Sequence, residues 1–331
     1  MTRRRTLLSA LGSTPLLGML PRPAAAAALP LRISTPSTDT DLLTKALQDF
    51  KAGVEKALPG EIAVSVHPGS SLFRQNTELP ALQRGNLEMS TMTTFEVDQQ
   101  IPELGPYSAG YVVRDYDHLR KVFGGPLGQE YFSKVAAQMG VQIIDVVYLG
   151  TRQMNLRTVR EVRTPADLRS VKLRMPPGPG WTALGRGLGV VPTPMPNPEV
   201  YLALKSGAID GQENPPGLTR ANNFHEVTQQ VVLTSHLVQP VFFAFGKPFW
   251  DKLTPAQQTV LREQARIVAE AHDRARVADE TATLEFFRSN GLRVTPVELE
   301  PFRAAVAKQY VDGGLTARWA PGLVDRIQAA A

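Results

Sequence analysis

The stretch LRISTPSTDTDLLTKALQDFKAGVEKALPGEIAVSVHPG, residues 31–69, holds two strand patterns on either side of a helical one. Leu31-Arg32-Ile33 is a short strand signal. Thr35 to Asp41, rich in Pro, Ser, Thr and Asp, suits a strand-to-helix loop ending in an N-cap. Leu42 to Leu58 carries apolar residues at helical spacing and stops at Pro59-Gly60, a proline-glycine pair that ends helices. Ile62, Val64 and Val66 then alternate with Glu61, Ala63 and Ser65, which predicts a strand ending at His67-Pro68-Gly69. A further helix ending at Gly85 and a strand from Leu87 to Met92 extend the order to strand, helix, strand, helix, strand. That alternation argues for an α/β lobe built on a largely parallel sheet.

The same grammar starts again at Val141 to Tyr148, a near-continuous apolar run of the kind expected of a strand covered on both faces. Thr164-Pro165-Ala166-Asp167 reads as a cap with proline at the first helical position. The strand Val171 to Met175 follows, with Val171, Leu173 and Met175 on one face and Lys172 and Arg174 on the other. From the capping pattern Thr254-Pro255-Ala256-Gln257, helical periodicity runs through Phe287 to Asn290-Gly291. Unbroken, this helix would span roughly 50 Å at 1.5 Å per residue, long enough to lie across two lobes. The sequence has no internal repeat and no flexible linker, so the lobes are expected to be joined by several crossings of the chain.

With 331 residues, 43% of them hydrophobic and 20% charged, the chain has the composition of a soluble globular protein of two ordinary domains. Residues 1–28 differ from the rest. Arg3, Arg4 and Arg5 precede an apolar stretch from Leu7 to Leu20, then Pro21-Arg22-Pro23 and the alanines 24–28. This is the layout of an export signal, of twin-arginine or Sec type. Its four arginines, unaccompanied by any acid, take the net charge from +5 to +1 once removed. The basic isoelectric point therefore belongs to the leader, and no basic stripe interleaved with aromatics points to nucleic acid. The sequence contains no cysteine, which excludes disulfides, thiol catalysis and thiolate metal sites.

Catalytic motifs are lacking. The five histidines, His67, His118, His225, His236 and His272, show none of the spacings of a metal-binding helix. Pro68-Gly69-Ser70-Ser71 fails the nucleophile-elbow pattern, and Gly185-Arg186-Gly187-Leu188-Gly189 lacks the spacing of a dinucleotide loop and reads as a loop or helix end. No cofactor and no metal are expected.

Short blocks in the second half stand out: Gly150-Thr151-Arg152-Gln153, Leu168 through Lys172-Leu173-Arg174-Met175-Pro176, Pro192-Thr193-Pro194-Met195, Glu199-Val200-Tyr201-Leu202-Ala203-Leu204, and Gly207-Ala208-Ile209-Asp210-Gly211-Gln212-Glu213-Asn214-Pro215. In this order and spacing they resemble the solute-binding subunits of the tripartite ATP-independent periplasmic (TRAP) transporters. The N-terminal half agrees more loosely, through Pro68 to Phe73 and Gly85-Asn86-Leu87-Glu88-Met89. The resemblance implies a two-lobed α/β binding-protein fold of type II-like form, with a cleft between the lobes and a long bridging helix. It implies division into residues 29–149 with 240–279 as one lobe and 150–239 with 280–331 as the other. It further implies a periplasmic, monomeric receptor that captures a small organic carboxylate and hands it to TRAP membrane subunits. A sensor subunit, or a secreted enzyme acting on an organic acid, are the alternatives.

By the same resemblance Arg174 clamps the ligand carboxylate, Asn214 helps to hold it, and Arg152 is a second cationic contact. The residues themselves suit Arg174: it precedes Pro176-Pro177-Gly178 at a strand end, where open α/β sheets bind ligands, and guanidinium offers a carboxylate a planar fork. Phe95, Trp181, Phe242 and Phe243 are the aromatics expected nearest the cleft. Ser170, and Asn197-Pro198 before Glu199, depart from the residues common in relatives and leave the identity of the carboxylate open.

Overall fold

A computed structural model describes residues 27–330. The export segment assigned to residues 1–28 lies outside the described residues apart from its last two. The strands are β1 (Leu29–Ser34), β2 (Ile62–His67), β3 (Met89–Met92), β4 (Val141–Leu156), β5 (Lys172–Met175), β6 (Val191–Pro194), β7 (Gly211–Asn214), β8 (Gln230–Gly246) and β9 (Arg293–Pro296). The helices are α1 (Leu42–Ala57), α2 (Glu78–Gln83), α3 (Thr94–Gln100), α4 (Tyr116–Gly124), α5 (Pro126–Met139), α6 (Pro179–Gly187), α7 (Val200–Ser206), α8 (Pro216–Ala221), α9 (Lys247–Trp250), α10 (Pro255–Ser289), α11 (Glu300–Asp312) and α12 (Leu323–Ala329).

The strands form one sheet in the order β2-β1-β3-β8-β4-β7-β5-β6, with β9 beside β8. Each end is parallel: β2, β1 and β3 in one lobe, and β7, β5 and β6 in the other. The centre is antiparallel, because β4 and β8 run in opposite directions through both lobes. The expected strand from Val141 to Tyr148 is therefore only the first half of a 16-residue strand. Sequence alone stops it at Tyr148 because the apolar run gives way to Gly150 and polar residues, whose pairing partner is supplied by β8. The Thr164 cap exists, but it opens a single 3-10 turn, Pro165–Leu168, instead of a helix.

Where the lobes join, the β4/β8 register slips between Tyr148 and Gly150, and the ladder resumes with Gly150 opposite Gln239. Such a bulge bends and twists a strand pair. Gly150 sits at φ 132°, a conformation open to glycine, and a Cβ there would lie 2.5 Å from the Pro215 Cβ and 3.0 Å from the Glu280 Oε1. Glu280 of α10 closes over this point: it accepts the Thr151 N–H and the Tyr148 hydroxyl, the latter at 2.9 Å. Burial raises the pKa of Glu280, an effect opposed by these donors.

The 35-residue α10 is started by the Thr254/Gln257 capping box foreseen in the sequence, and Leu261, Ala265, Val268, Ala269, His272 and Arg276 recur along its buried face. It lies on α1 and on β4 and reaches α8 and β9, so it braces both lobes. Buried Arg276 donates to both oxygens of Asp41, at 3.0 and 2.9 Å, while Asp41 also caps α1 by accepting the Leu43 N–H. Apolar clusters fill both faces of the sheet, one running from Phe123 and Tyr131 to Leu173 and Val306, the other gathering Phe50, Phe243 and Leu261.

Gly150→Ala should destabilise the protein by about 1–3 kcal/mol, the cost of a forced backbone conformation with a close contact. Urea unfolding followed by circular dichroism checks this, and an unchanged midpoint would show that the bulge yields without strain.

Candidate functional site

A cavity opens between the lobes beside the bulge. Its walls come from the loop after β1 (Pro36, Ser37), the segment before α2 (Gln75, Asn76), β3 and the cap of α3 (Thr91, Thr93), and β4 (Leu149, Arg152). The other lobe adds Arg174, Pro176, Trp181, Asn197 and Asn214. The parallel strands β5 and β7 end here, which is where loops and side chains of such sheets converge.

Arg174 is 1% exposed, whereas Lys172, on the same face of β5, is exposed. The guanidinium donates through Nε to the Met195 carbonyl at 2.8 Å and reaches Gln75 Oε1 at 3.5 Å. Among the described residues no carboxylate forms an ion pair with it. Burial pushes its pKa down to about 9, with Glu213 and Glu199 opposing and Arg152 reinforcing the shift. Guanidinium keeps its proton at neutral pH, so this is a charge held out of water with no carboxylate paired to it.

Arg152 is just as buried but is neutralised. It reaches both oxygens of Glu213, Nη2 to Oε1 at 2.7 Å, and also donates to the Glu213 carbonyl at 2.7 Å and to Asn214 Oδ1 at 2.9 Å. Its guanidinium carbon lies 4.7 Å from the Trp181 ring centroid. The β4/β7 ladder pairs Gln153 with Asn214 and Met154 with Glu213, and this register brings the two groups together. Glu213 is fully buried and pairs in addition with His236 Nε2 at 3.0 Å. Burial alone would raise the Glu213 pKa, but Arg152 and His236 outweigh it and hold it below the usual carboxylate range. His236, its own pKa lowered by burial, has its other nitrogen 2.8 Å from the Thr234 hydroxyl. A neutral ring donating from Nε2 and accepting at Nδ1 satisfies both contacts.

Asn214 lines the cavity with its amide fixed at both ends, Oδ1 by Arg152 and Nδ2 by Gln212 Oε1 at 2.7 Å. Of the four aromatics expected nearest the cleft, Trp181 lines the cavity. It stands on α6, in a segment whose prolines and glycines are consumed at the helix start. Phe95 stacks behind it, ring centroids 3.8 Å apart and planes 13° off parallel, and does not reach the cavity. Phe242 and Phe243 require correction, because both are 0% exposed and face the two cores. Phe242 packs among Phe123, Tyr131 and Phe132, and Phe243 against Phe50. Adjacent strand residues point to opposite faces, and here both faces are covered. Sequence reading missed Gln75, Asn76, Thr93, Glu96 and Gln239, all on the cavity wall. They come from elements far apart in the chain, and only the departure noted at Asn197 hinted at one of their neighbours.

The sequence model of the family described as bacterial extracellular solute-binding protein, family 7, matches residues 33–313. The chain belongs to this family. It is 30% identical over 257 residues to the sialic acid-binding periplasmic protein SiaP of Vibrio cholerae, covering 78% of this chain and 79% of that one. A TRAP periplasmic solute-binding protein from Roseobacter denitrificans, solved with bound 3-deoxy-D-manno-oct-2-ulosonic acid, shares 38% identity at a TM-score of 0.88. That match covers 92% of this chain and 100% of that one. Another from Polaromonas, bound to D-erythronate, shares 27% identity at a TM-score of 0.84, covering 91% and 98%. These neighbours share the two-lobed fold of this family 7 protein, including the cleft and the bracing helix.

The two arginines should respond oppositely to removal in ligand-free protein. Glu213→Ala, which strands Arg152, should cost about 3–5 kcal/mol of stability. Arg174→Met should leave the unfolding midpoint unchanged or raise it, because a charge without a partner is replaced by an apolar chain of similar reach. Chemical unfolding of both variants decides this, and equal losses would make Arg174 a structural residue.

Proposed function

We propose that this family 7 protein is an exported, periplasmic receptor that binds one polyhydroxylated monocarboxylate, a sugar acid, between its lobes and delivers it to TRAP membrane subunits. The observation that carries the reading is the charge balance of the cavity: of two buried guanidinium groups, one is matched by Glu213 and one, Arg174, is not. A single ligand carboxylate answers that balance. A second carboxylate would find no further cation among the residues lining the cavity. Hydroxyl groups are matched by Asn76, Thr91, Asn197, Asn214 and Gln239, while Trp181 and Leu218 offer surface to the carbon chain. The acids bound in the two solved relatives are polyhydroxylated monocarboxylates, which agrees in chemistry.

In this reading Arg174 grips the carboxylate, Arg152 and Asn214 form a fixed polar wall beside it, and Trp181 backed by Phe95 forms an apolar one. The lobes, residues 29–149 with 240–279 and 150–239 with 280–331, close about the bulge at Gly150 and Gln239. Closure removes water and strengthens the ion pair at Arg174. The protein acts as a monomeric carrier, in keeping with relatives named for binding and not for catalysis.

Purified mature protein, stripped of ligand by unfolding and refolding, should gain about 2.7 kcal/mol of stability from a sugar acid present at 100 times its dissociation constant. Neutral sugars, amino acids and C4-dicarboxylates should produce no comparable shift. Arg174→Ala should lose about 2–5 kcal/mol of binding, and Arg174→Lys should bind poorly because ammonium lacks the fork. Preference for a dicarboxylate would defeat the charge count. Wild-type affinity in Arg174→Lys would defeat the bidentate grip.

A further inference from the structure

Asn76, Thr91 and Glu96 line the main cavity and also wall a small neighbouring chamber, completed by Glu78, Leu79, Leu82, Ser90 and Met92. It has room for about one water-sized group. Glu78 is 8% exposed, and its Oε1 is buried with no hydrogen-bond partner. Buried carboxyl oxygens are rarely left so, since the desolvation cost goes uncompensated.

Each of the other polar side chains of the chamber already has at least one partner. The Ser90 hydroxyl donates to the Ser34 carbonyl at 3.0 Å, and the Thr91 hydroxyl to Thr35 Oγ1 at 2.9 Å. Asn76 Nδ2 donates to the Pro177 carbonyl at 2.7 Å, and Glu96 Oε2 accepts the Thr93 N–H at 3.0 Å and its hydroxyl. Glu78 is thus the group whose hydrogen bonding the protein leaves incomplete, beside a cavity already fitted for a polyol acid.

We infer that this chamber is a specificity subsite for the hydroxyl of a terminal hydroxymethyl group, with Glu78 bonding that hydroxyl and the methylene staying at the chamber's edge toward the main cavity. The inference rests on the sugar-acid reading and deepens it. A hydroxyl fits better than an anion, because the chamber's lining offers two carboxyl groups, Glu78 and Glu96, and no cation. Desolvation, helped by Glu96 and opposed by the backbone N–H groups of residues 76–78, raises the Glu78 pKa to about 8, which favours the protonated carboxyl at neutral pH. In that form it can donate to a hydroxyl as well as accept from it. A terminal methyl group would place no donor or acceptor in the chamber and leave Oε1 unsatisfied.

Calorimetric titration of the stripped, full mature protein with two pairs of acids tests this: L-galactonate against its 6-deoxy counterpart L-fuconate, and D-erythronate against its 4-deoxy analogue. In at least one pair the hydroxymethyl acid should bind about tenfold or more tightly, the penalty for an unmade bond to a buried group. Glu78→Leu should shrink that preference to within about twofold while binding the deoxy acid no worse than wild type, and Glu78→Gln should retain part of it. Equal affinity within both pairs, as expected if the chamber simply holds a water, overturns the subsite and leaves the sugar-acid reading standing. An undiminished preference in Glu78→Leu, or in Glu78→Gln alongside wild-type affinity for the deoxy acid, also overturns it. Failure of all four acids to bind defeats the sugar-acid reading and the subsite together.

Discussion

Glu213 can neutralise one guanidinium, and two are buried beside it. Its carboxylate is taken by Arg152 on both oxygens and shared with His236, which ties β4, β7 and β8 together at the centre of the sheet. The fixed Arg152 then holds Asn214 and lies against Trp181, so that one wall of the cavity is set before any ligand arrives. Arg174 is left with a main-chain carbonyl and a distant glutamine oxygen. A cation kept from water without an anion is an unfavourable arrangement for folding and a favourable one for recognition, because the missing interaction is available only to a ligand.

The same economy of partners governs the mechanics. The strands that carry Arg152 and Gln239 are the two that pass between the lobes, and their ladder slips a residue at Gly150. Glu280 fastens α10 to that slip, and Arg276, one turn earlier, fastens α10 to the cap of α1. A change of angle between the lobes must therefore work against the Glu280 anchor, while Arg276 keeps α10 fixed to the lobe that holds α1. Leu149, Arg152 and Gln239 of the cavity wall lie within a few positions of the bend, so a change of angle there would move the wall directly.

What could be read from residues alone follows from locality. The strand and helix alternation over 31–69, the capping box at Thr254 and the length of the helix after it rest on interactions within a few positions, and the fold agrees with each. Antiparallel pairing of β4 with β8 was hidden, because it joins residues about ninety positions apart and leaves no periodic trace beyond two apolar runs. The aromatics divided for the same reason. Trp181, Phe242 and Phe243 look alike in sequence, yet which face a strand residue occupies, and whether that face is cavity or core, depends on what another element packs there.

By itself the sequence determined the α/β class, the two lobes with their bracing helix, the family, and Arg152, Arg174 and Asn214 as residues on the cavity wall. Each is carried by a local pattern or a contiguous block. Tertiary structure alone decided that Arg152 is spent on Glu213 while Arg174 is not, that Phe242 and Phe243 belong to the cores, and that Gln75, Glu96 and Gln239 join the wall. It also decided that Glu78 is buried with an oxygen unsatisfied. Charge compensation and solvation are set by distance in space, and residues 152, 174, 213 and 236 meet only once the sheet has closed its register.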